Sequence, residues 1–405
     1  MKKAIVELAK TIHRSDPSAA FSFHFWDEEK IEFGCKPKVV LLIKTPRVAG
    51  EIVTKGFLGF GEAYVSGDLE VEGDLQELLR LGFIVRFDGD GLSFLQKMRL
   101  LPLYVKTRGT ADRAKQNIAQ HYDLTQEFFS LFLDESLTYS CAYFKNENDT
   151  LEQAQRNKYD HIARKLMLGR EDRVIDIGCG WGGMLLHAAG KYGACGTGIT
   201  LSRNQFEFAG RRTRELGLGN RLEIRLQDYR HLSGTFDKFV SIGMFEHVGK
   251  KFIPVFMEKV AGLLRKGGIG LLHTIAKDVA SPTDTWTLRY IFPGGYLPTL
   301  SETLEEMGRA GFSILDVEGL RMHYARTLDR WIDNFERNIT KIRDLFDERF
   351  IRMWRLYLNG SSASFKYGDT RLYQILFTNG LNNDLPITRD HIYDPHPDES
   401  AKHAV

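Results

Sequence analysis

The stretch Arg173-Val-Ile-Asp-Ile-Gly178-Cys-Gly180-Trp-Gly182-Gly183 decides the fold of this chain. Val174, Ile175 and Ile177 form a β-branched run suited to a buried strand. The run stops at glycines and passes into Met184-Leu-Leu-His187, which opens a helix. Gly178, Gly180 and Gly182 permit a tight turn and leave no Cβ between the backbone and a ligand. Strand, glycine turn and helix in this order make a nucleotide-type binding loop at the carboxyl end of the first strand of an open α/β sheet.

Dinucleotide enzymes and methyltransferases share such a loop. A dinucleotide site wants a carboxylate about twenty residues on, at the end of the second strand. Here that strand, Ala194 to Ile199, runs into Thr200-Leu-Ser-Arg-Asn-Gln205, and no acid stands there. The nicotinamide reading recedes. A purely structural turn is also disfavoured, because four glycines in six residues would weaken a turn that served packing alone.

Outward from this loop, strand and helix signals alternate. Strands are expected at 173–178, 194–200, 222–227, 237–243 and 268–275, and helices near 181–191, 202–216 and 252–265. This rhythm predicts a doubly wound, mostly parallel sheet. Thr150-Leu-Glu-Gln153 is a capping-box pattern for a helix to about Leu166. After Leu328, Trp331, Phe335, Ile339, Ile342, Phe346, Phe350 and Trp354 recur at helical spacing. They read first as a core face and second as a face lining a lipid.

Residues 1–90 read as a separate small α+β unit. Met1 to Lys10 carries charge inside its apolar stretch, as an amphipathic helix does and a secretory leader does not. Phe21–Trp26 and Val39–Ile43 read as strands, and Leu75–Leu81 as a short helix. Gly59 to Asp68 is punctuated by glycines. Residues 91–115 form a basic, apolar connector, in which Lys97, Arg99, Lys106 and Arg108 are interleaved with leucines. It fits a membrane-surface helix and equally a linker packed between domains. Residues 116–390 carry the catalytic pattern, and 391–405 form a polar tail.

At 405 residues the chain has room for two or three domains, and 43% hydrophobic content is enough for a packed core. A net charge of +2 gives no reason to expect nucleic acid as a partner. Cys35, Cys141, Cys179 and Cys195 show no metal-type spacing and read as free thiols of a reducing cytoplasm. No run of eighteen apolar residues suggests a membrane span, which leaves peripheral contact open.

From about 117 to 375 the chain resembles the cyclopropane-fatty-acid synthases, S-adenosylmethionine-dependent methyltransferases that act on unsaturated acyl chains. The shared stretches are Gln120-His-Tyr-Asp123, Thr138-Tyr-Ser-Cys-Ala-Tyr-Phe144, Val174 to Gly183 and Leu226-Gln-Asp-Tyr-Arg230. They continue with Gly243-Met-Phe-Glu-His-Val-Gly249, Leu271-Leu-His-Thr-Ile275 and Ile291-Phe-Pro-Gly-Gly-Tyr-Leu-Pro298. The resemblance implies a Rossmann-like methyltransferase domain with a helical lipid-binding subdomain. The amino-terminal unit looks like the accessory domain of the longer, bacterial-type members, placed for lipid contact or dimerisation.

By resemblance the cofactor pocket is formed by Tyr139, Ser140, Gly178, Gly180, Thr200, Gln205, Gln227, Asp228 and Tyr229. S-adenosylmethionine carries no phosphate, so the glycines would serve close approach and not anion binding. Asp228 would hold the adenine amino group, with a solvated strand-end acid as the alternative. The resemblance further implies a bicarbonate ion as catalytic base, held by Cys141, Glu246, His273, the backbone of Ile275, and Tyr324. The reaction chemistry agrees. An alkene methylated by a sulfonium becomes a carbocation, and a strong side-chain nucleophile would trap it. Thiol, imidazole, phenol and backbone N–H can donate to an anion, and Glu246 can accept its O–H. His247 would point elsewhere.

One departure concerns a second cysteine that many members carry in the carboxyl-terminal helical region. Here Leu358-Asn-Gly-Ser-Ser-Ala-Ser-Phe365 stands there, with Ser361 near that position. The implied substrate is the cis double bond of phospholipid acyl chains at the inner membrane surface. The alternatives are a methylene- or methyl-branched product, methylation of a small amine, and a lipid-binding pseudoenzyme.

Overall fold

The computed structural model describes residues 1–85 and 124–393. The basic connector expected over 91–115, the Gln120–Asp123 stretch and most of the polar tail lie outside the described residues. The chain divides into two compact units. One comprises Met1–Thr110, Ser281–Gly295 and Leu328–Asp369, and the other Ala111–Ala280, Tyr296–Thr327 and Thr370–Val405.

In the first unit β1 (Phe21–Phe25), β2 (Lys30–Phe33), β3 (Val39–Ile43) and β4 (Leu69–Gly73) form a sheet in the order β2-β1-β3-β4. The helix Lys2–Ser15 buries Ile5, Ala9 and Ile12, the amphipathic face expected of it. The glycine-punctuated stretch folds as a helix, Phe57–Ser66. Its glycines serve close packing: a Cβ on Gly59 would lie 2.2 Å from the Glu51 carbonyl oxygen, and one on Gly61 2.4 Å from the Trp286 ring.

The long helical pattern after Leu328 is cut into Arg321–Arg337, Ile339–Leu345 and Glu348–Tyr367. Phe346 is extended, and Asp347 starts the last helix by accepting from the Phe350 N–H. Trp331, Phe335, Ile342 and Trp354 are buried, which makes the stripe a core face.

The second unit holds a seven-stranded sheet in the order β10-β11-β9-β8-β5-β6-β7. Its strands are β5 (Arg173–Ile177), β6 (Cys195–Thr200), β7 (Leu222–Leu226), β8 (Phe236–Ile242), β9 (Leu264–Lys277), β10 (Phe312–Gly319) and β11 (Thr370–Asn379). The five strands β5 to β9 pair in parallel, as expected. The sequence pattern did not reveal β10 and β11, which pair antiparallel at the β9 edge. Strand order reverses at β5, which lies between β8 and β6. This switch point opens a crevice at the carboxyl ends of the strands.

Side-chain alternation divides the core between the two faces of the sheet. Ile175, Ile177, Phe239 and Leu272 pack with the helix Ile253–Leu263. Val174, Val240, Leu271 and Leu376 pack with the helices Leu151–Lys165 and Gly183–Tyr192. Asp176 and His273 share the parity of this second set, so they emerge on the face covered by Leu151–Lys165. Thr150 caps that helix by accepting from the Gln153 N–H. The return half of the expected capping box is absent, because the Gln153 amide bonds Asn157 instead. No described helix is long and apolar enough to cross a membrane.

Candidate active site

The glycine loop follows β5 as a turn with positive φ at Gly178, Gly180 and Gly182. The N–H groups of Gly178 and Cys179 both donate to the Ile199 carbonyl, which pins the loop to β6. The glycines differ in purpose. A Cβ on Gly178 would meet Met244 at 2.6 Å, and one on Gly183 the Tyr159 hydroxyl at 2.1 Å. At Gly180 a Cβ would meet nothing within 4 Å among the described residues, so toward them this backbone is open. Packing explains Gly178 and Gly183, whereas Gly180 has the open approach that a ligand needs.

The other expected cofactor residues gather at the same strand ends. Thr200 closes β6 and donates to the Gln205 side chain at 2.7 Å. Ser202 caps the helix Arg203–Glu215 beside them. Gln227 leaves β7 with its N–H on the Thr200 carbonyl. Asp228 turns its carboxylate back onto Arg230, accepting from the backbone N–H and the guanidinium. Burial opposes ionisation of this acid, but the Arg230 bonds prevail and hold it below the usual range. The Tyr229 ring packs edge-on to Phe256. Tyr139 sits against Phe129 and Phe132. Ser140 is held from below, where the Lys158 ammonium donates to its hydroxyl at 2.9 Å.

The residues expected around the base come from four places: the turn Phe245–His247, β9, the Cys141 segment and the helix Arg321–Arg337. Glu246 lies in the single turn Phe245–His247 just after β8, and the Tyr296 N–H fixes that turn by donating to the Glu246 carbonyl. β9 runs past the end of β8, so the Ile275 N–H has no strand partner on that side. It donates to Glu246 Oε1 at 2.6 Å. The resemblance implied that this N–H helps to hold the base; in this structure it donates to the Glu246 carboxylate. Glu246 Oε2 is buried with no hydrogen-bond partner among the described residues. Burial pushes the acid up to about 7, against the opposing effects of the Ile275 N–H, its own N–H and the Thr274 hydroxyl.

His273 is 1% exposed on β9. Its Nδ1 accepts from the Gln374 amide at 3.2 Å, and its buried Nε2 has no partner among the described residues. In this arrangement Nε2 carries the proton and is left as a donor. Burial, then the Lys158 and Lys165 ammoniums, hold the ring well below its ordinary pKa and therefore neutral. Gln374 was not legible in the sequence because its strand was not.

Cys141 is fully buried, and burial pushes its thiol well up, so it stays protonated. Its Sγ donates to the Ala142 carbonyl at 3.1 Å. The helix Arg321–Arg337 clamps this segment from outside. The Ala142 N–H donates to Thr327, and the Phe144 N–H to His323 Nδ1. Tyr324 stands between these two clamps in sequence and is half-buried. Burial pushes the neighbouring His247 down to about 4 and keeps it neutral. Among the described residues no His, Cys, Asp and Glu cluster could hold a metal ion.

Two buried charged side chains had no expected role. Lys158 and Asp176 are 1% and 2% exposed under the glycine loop. An acid in the middle of the apolar Val174–Ile177 strand was a visible signal of a buried polar function.

Comparison with known proteins bears on the fold and the family. The family described as mycolic acid cyclopropane synthetase matches residues 110–375, and a domain of unknown function matches residues 8–84. The chain is 38% identical over 400 residues to a probable fatty acid methyltransferase of Pseudomonas putida, covering 93% of this chain and 98% of the relative. It is 35% identical over 351 residues to the cyclopropane-fatty-acyl-phospholipid synthase of Escherichia coli K12, covering 86% and 90%. Among solved structures, mycolic acid cyclopropane synthase CmaA1 complexed with SAH and CTAB superposes with a TM-score of 0.62 at 32% identity. That match covers 65% of this chain and 98% of the other.

Proposed function

Since the chain belongs to the mycolic acid cyclopropane synthetase family and is an S-adenosylmethionine-dependent methyltransferase, we propose that it cyclopropanates the cis double bond of unsaturated acyl chains in membrane phospholipids. The observation that carries this reading is a pair of buried, partnerless polar atoms, Glu246 Oε2 and His273 Nε2, at the strand ends that also present the open Gly180. One is an acceptor and the other a donor. That set fits an anion with its own O–H, and bicarbonate bound there would supply the base.

S-adenosylmethionine supplies an electrophilic methyl, and the alkene supplies the electron pair. The C–S bond breaks as the new C–C bond forms, and one proton must then leave the transferred carbon as the ring closes. In our reading Gly178, Gly180, Thr200, Gln205 and Gln227 to Tyr229 seat the cofactor, with Tyr139 and Ser140 closing over it. His273 and Tyr324 donate toward the base, Cys141 does so once its thiol turns from the Ala142 carbonyl, and Glu246 accepts from it. Ile275 acts through Glu246. Neutral His273 and protonated Cys141 are poor traps for a carbocation, which protects the intermediate.

The resemblance to a phospholipid synthase and to a cyclopropane synthase bound to a long-chain amphiphile supports an acyl substrate. We further assign residues 1–90 as an accessory domain for lipid contact or homodimerisation. Residues 91–115 are assigned as a surface-binding connector and 116–390 as the catalytic domain, acting from the cytoplasm at the inner membrane surface.

The relation to a probable fatty acid methyltransferase favours one second reading, in which the same cation loses a proton elsewhere and leaves a branched chain. Mass spectrometry of acyl chains separates the two, after incubation with S-adenosylmethionine and vesicles of cis-unsaturated phospholipid. A gain of one CH2 with loss of the alkene is the expected result. A gain with the alkene retained establishes the branched product, and no gain with cofactor bound overturns both.

A further inference from the structure

Lys158 sits in the middle of the helix Leu151–Lys165, almost wholly buried. Among the described residues no carboxylate oxygen lies within 4.0 Å of its Nζ, and its hydrogen bond goes to the neutral Ser140 hydroxyl at 2.9 Å. An ammonium removed from water without an anion beside it is expensive to keep. The buried carboxylates of Asp134 and Asp176 act on it from farther off, and its surroundings show where a closer anion would sit. Ser140 directly precedes Cys141, and the face of the sheet covered by this helix is the one from which Asp176 and His273 emerge. Asp176 Oδ1, Glu246 Oε2 and His273 Nε2 are all buried and partnerless.

We propose that Lys158 is a positioning residue for the base: its ammonium, fixed on Ser140, gives the pocket of Cys141, Glu246 and His273 the positive field that draws in a small oxyanion. This rests on the bicarbonate reading above. Without such a cation the pocket offers an anion only neutral donors beside the Glu246 carboxylate, which repels it once ionised. The other charged or titratable groups acting on Lys158 are Asp134, Cys141 and Asp176. Burial pushes Lys158 down to about 7 while Asp134 pulls it back up. An anion arriving beside it favours the charged form, so the two reinforce each other. Asp176, itself pushed up to about 7 by burial, acts in two ways: its charge favours the Lys158 ammonium and repels an anion in the pocket.

The test is steady-state turnover in carbon-dioxide-free buffer at saturating S-adenosylmethionine, with bicarbonate titrated in. Lys158→Met keeps the length of the side chain and removes the charge. It is expected to raise the half-saturating bicarbonate about tenfold or more, with high bicarbonate restoring most of the rate. Lys158→Arg keeps the charge and is expected to hold the half-saturating bicarbonate near the wild-type value. A role confined to packing would reduce thermal stability in both variants and leave the half-saturating bicarbonate of Lys158→Met unchanged, which overturns the proposal. If Lys158→Met does not fold, Lys158→Gln is titrated in its place and read in the same way. Wild-type turnover indifferent to bicarbonate would instead remove the base reading itself, before either variant is compared.

Discussion

Gln374 and His273 stand opposite each other in register on β11 and β9, with the amide nitrogen 3.2 Å from the imidazole Nδ1. Both are buried on the same face of the sheet. The pair leaves the His273 Nε2 proton directed away from Gln374, among the groups that we assign to the base.

Gln374→Leu should therefore release the ring and lower kcat by roughly 10- to 100-fold. Cofactor affinity should be kept, because Gln374 lies outside the glycine loop. Unchanged kcat in Gln374→Leu, with an intact fold by circular dichroism, would show that His273 needs no such partner.

Glu246→Gln should abolish most turnover while retaining S-adenosylmethionine binding by calorimetry. The amide keeps the shape of the side chain but loses the ability to accept from the anion's O–H at both oxygens. Full activity in this variant would remove Glu246 from the base site.

The same substitution makes a stability prediction whose sign is fixed by linkage. Folding raises the Glu246 pKa from 4.5 to about 7. The native state thus binds the proton more tightly, and this contribution is full below pH 4.5 and lost as pH rises through 7. Glu246→Gln, which needs no proton, should melt at a higher temperature than wild type at pH 8. The advantage, up to about 3 kcal/mol by linkage, should vanish near pH 4. Melting curves of the ligand-free proteins across this range check it.

Two glycines of one loop should respond oppositely to alanine. Gly183→Ala drives a Cβ into the Tyr159 hydroxyl and should chiefly lower the melting temperature. Gly180→Ala meets open space, so its steric effect on the empty protein is small, with only the left-handed backbone strain of about 1 kcal/mol. Its main effect should be on cofactor affinity. Equal losses of affinity in the two variants would contradict the assignment of Gly180 as the face of approach.

Neutralising Lys97, Arg99, Lys106 and Arg108 together should weaken sedimentation with anionic vesicles at low salt, and less so at high salt. Unchanged sedimentation would leave the connector as a linker.

By itself the sequence determined the parallel half of the sheet and the residues at its carboxyl ends. Val174 to Gly183 states strand, turn and helix locally, because β-branching and glycine act within a few residues. The expected cofactor residues came from the resemblance; Gly178, Thr200 and Gln227 stand just past strands that their own neighbours define, whereas Tyr139 and Ser140 follow no strand. Tertiary structure decided the rest. β10 and β11 lack a local signature, because their identity as strands comes from pairing with β9 across long separations in sequence. Gln374 became visible only with that register. Lys158 and Asp176 look like an ordinary helix lysine and a strand acid until the helix Leu151–Lys165 is laid on the sheet. The bond from the Ile275 N–H to Glu246 exists because β9 outruns β8 and lets the side chain reach it. In each case the deciding contact joins residues that no local propensity relates, and only the assembled core brings them within hydrogen-bonding distance or onto one buried face.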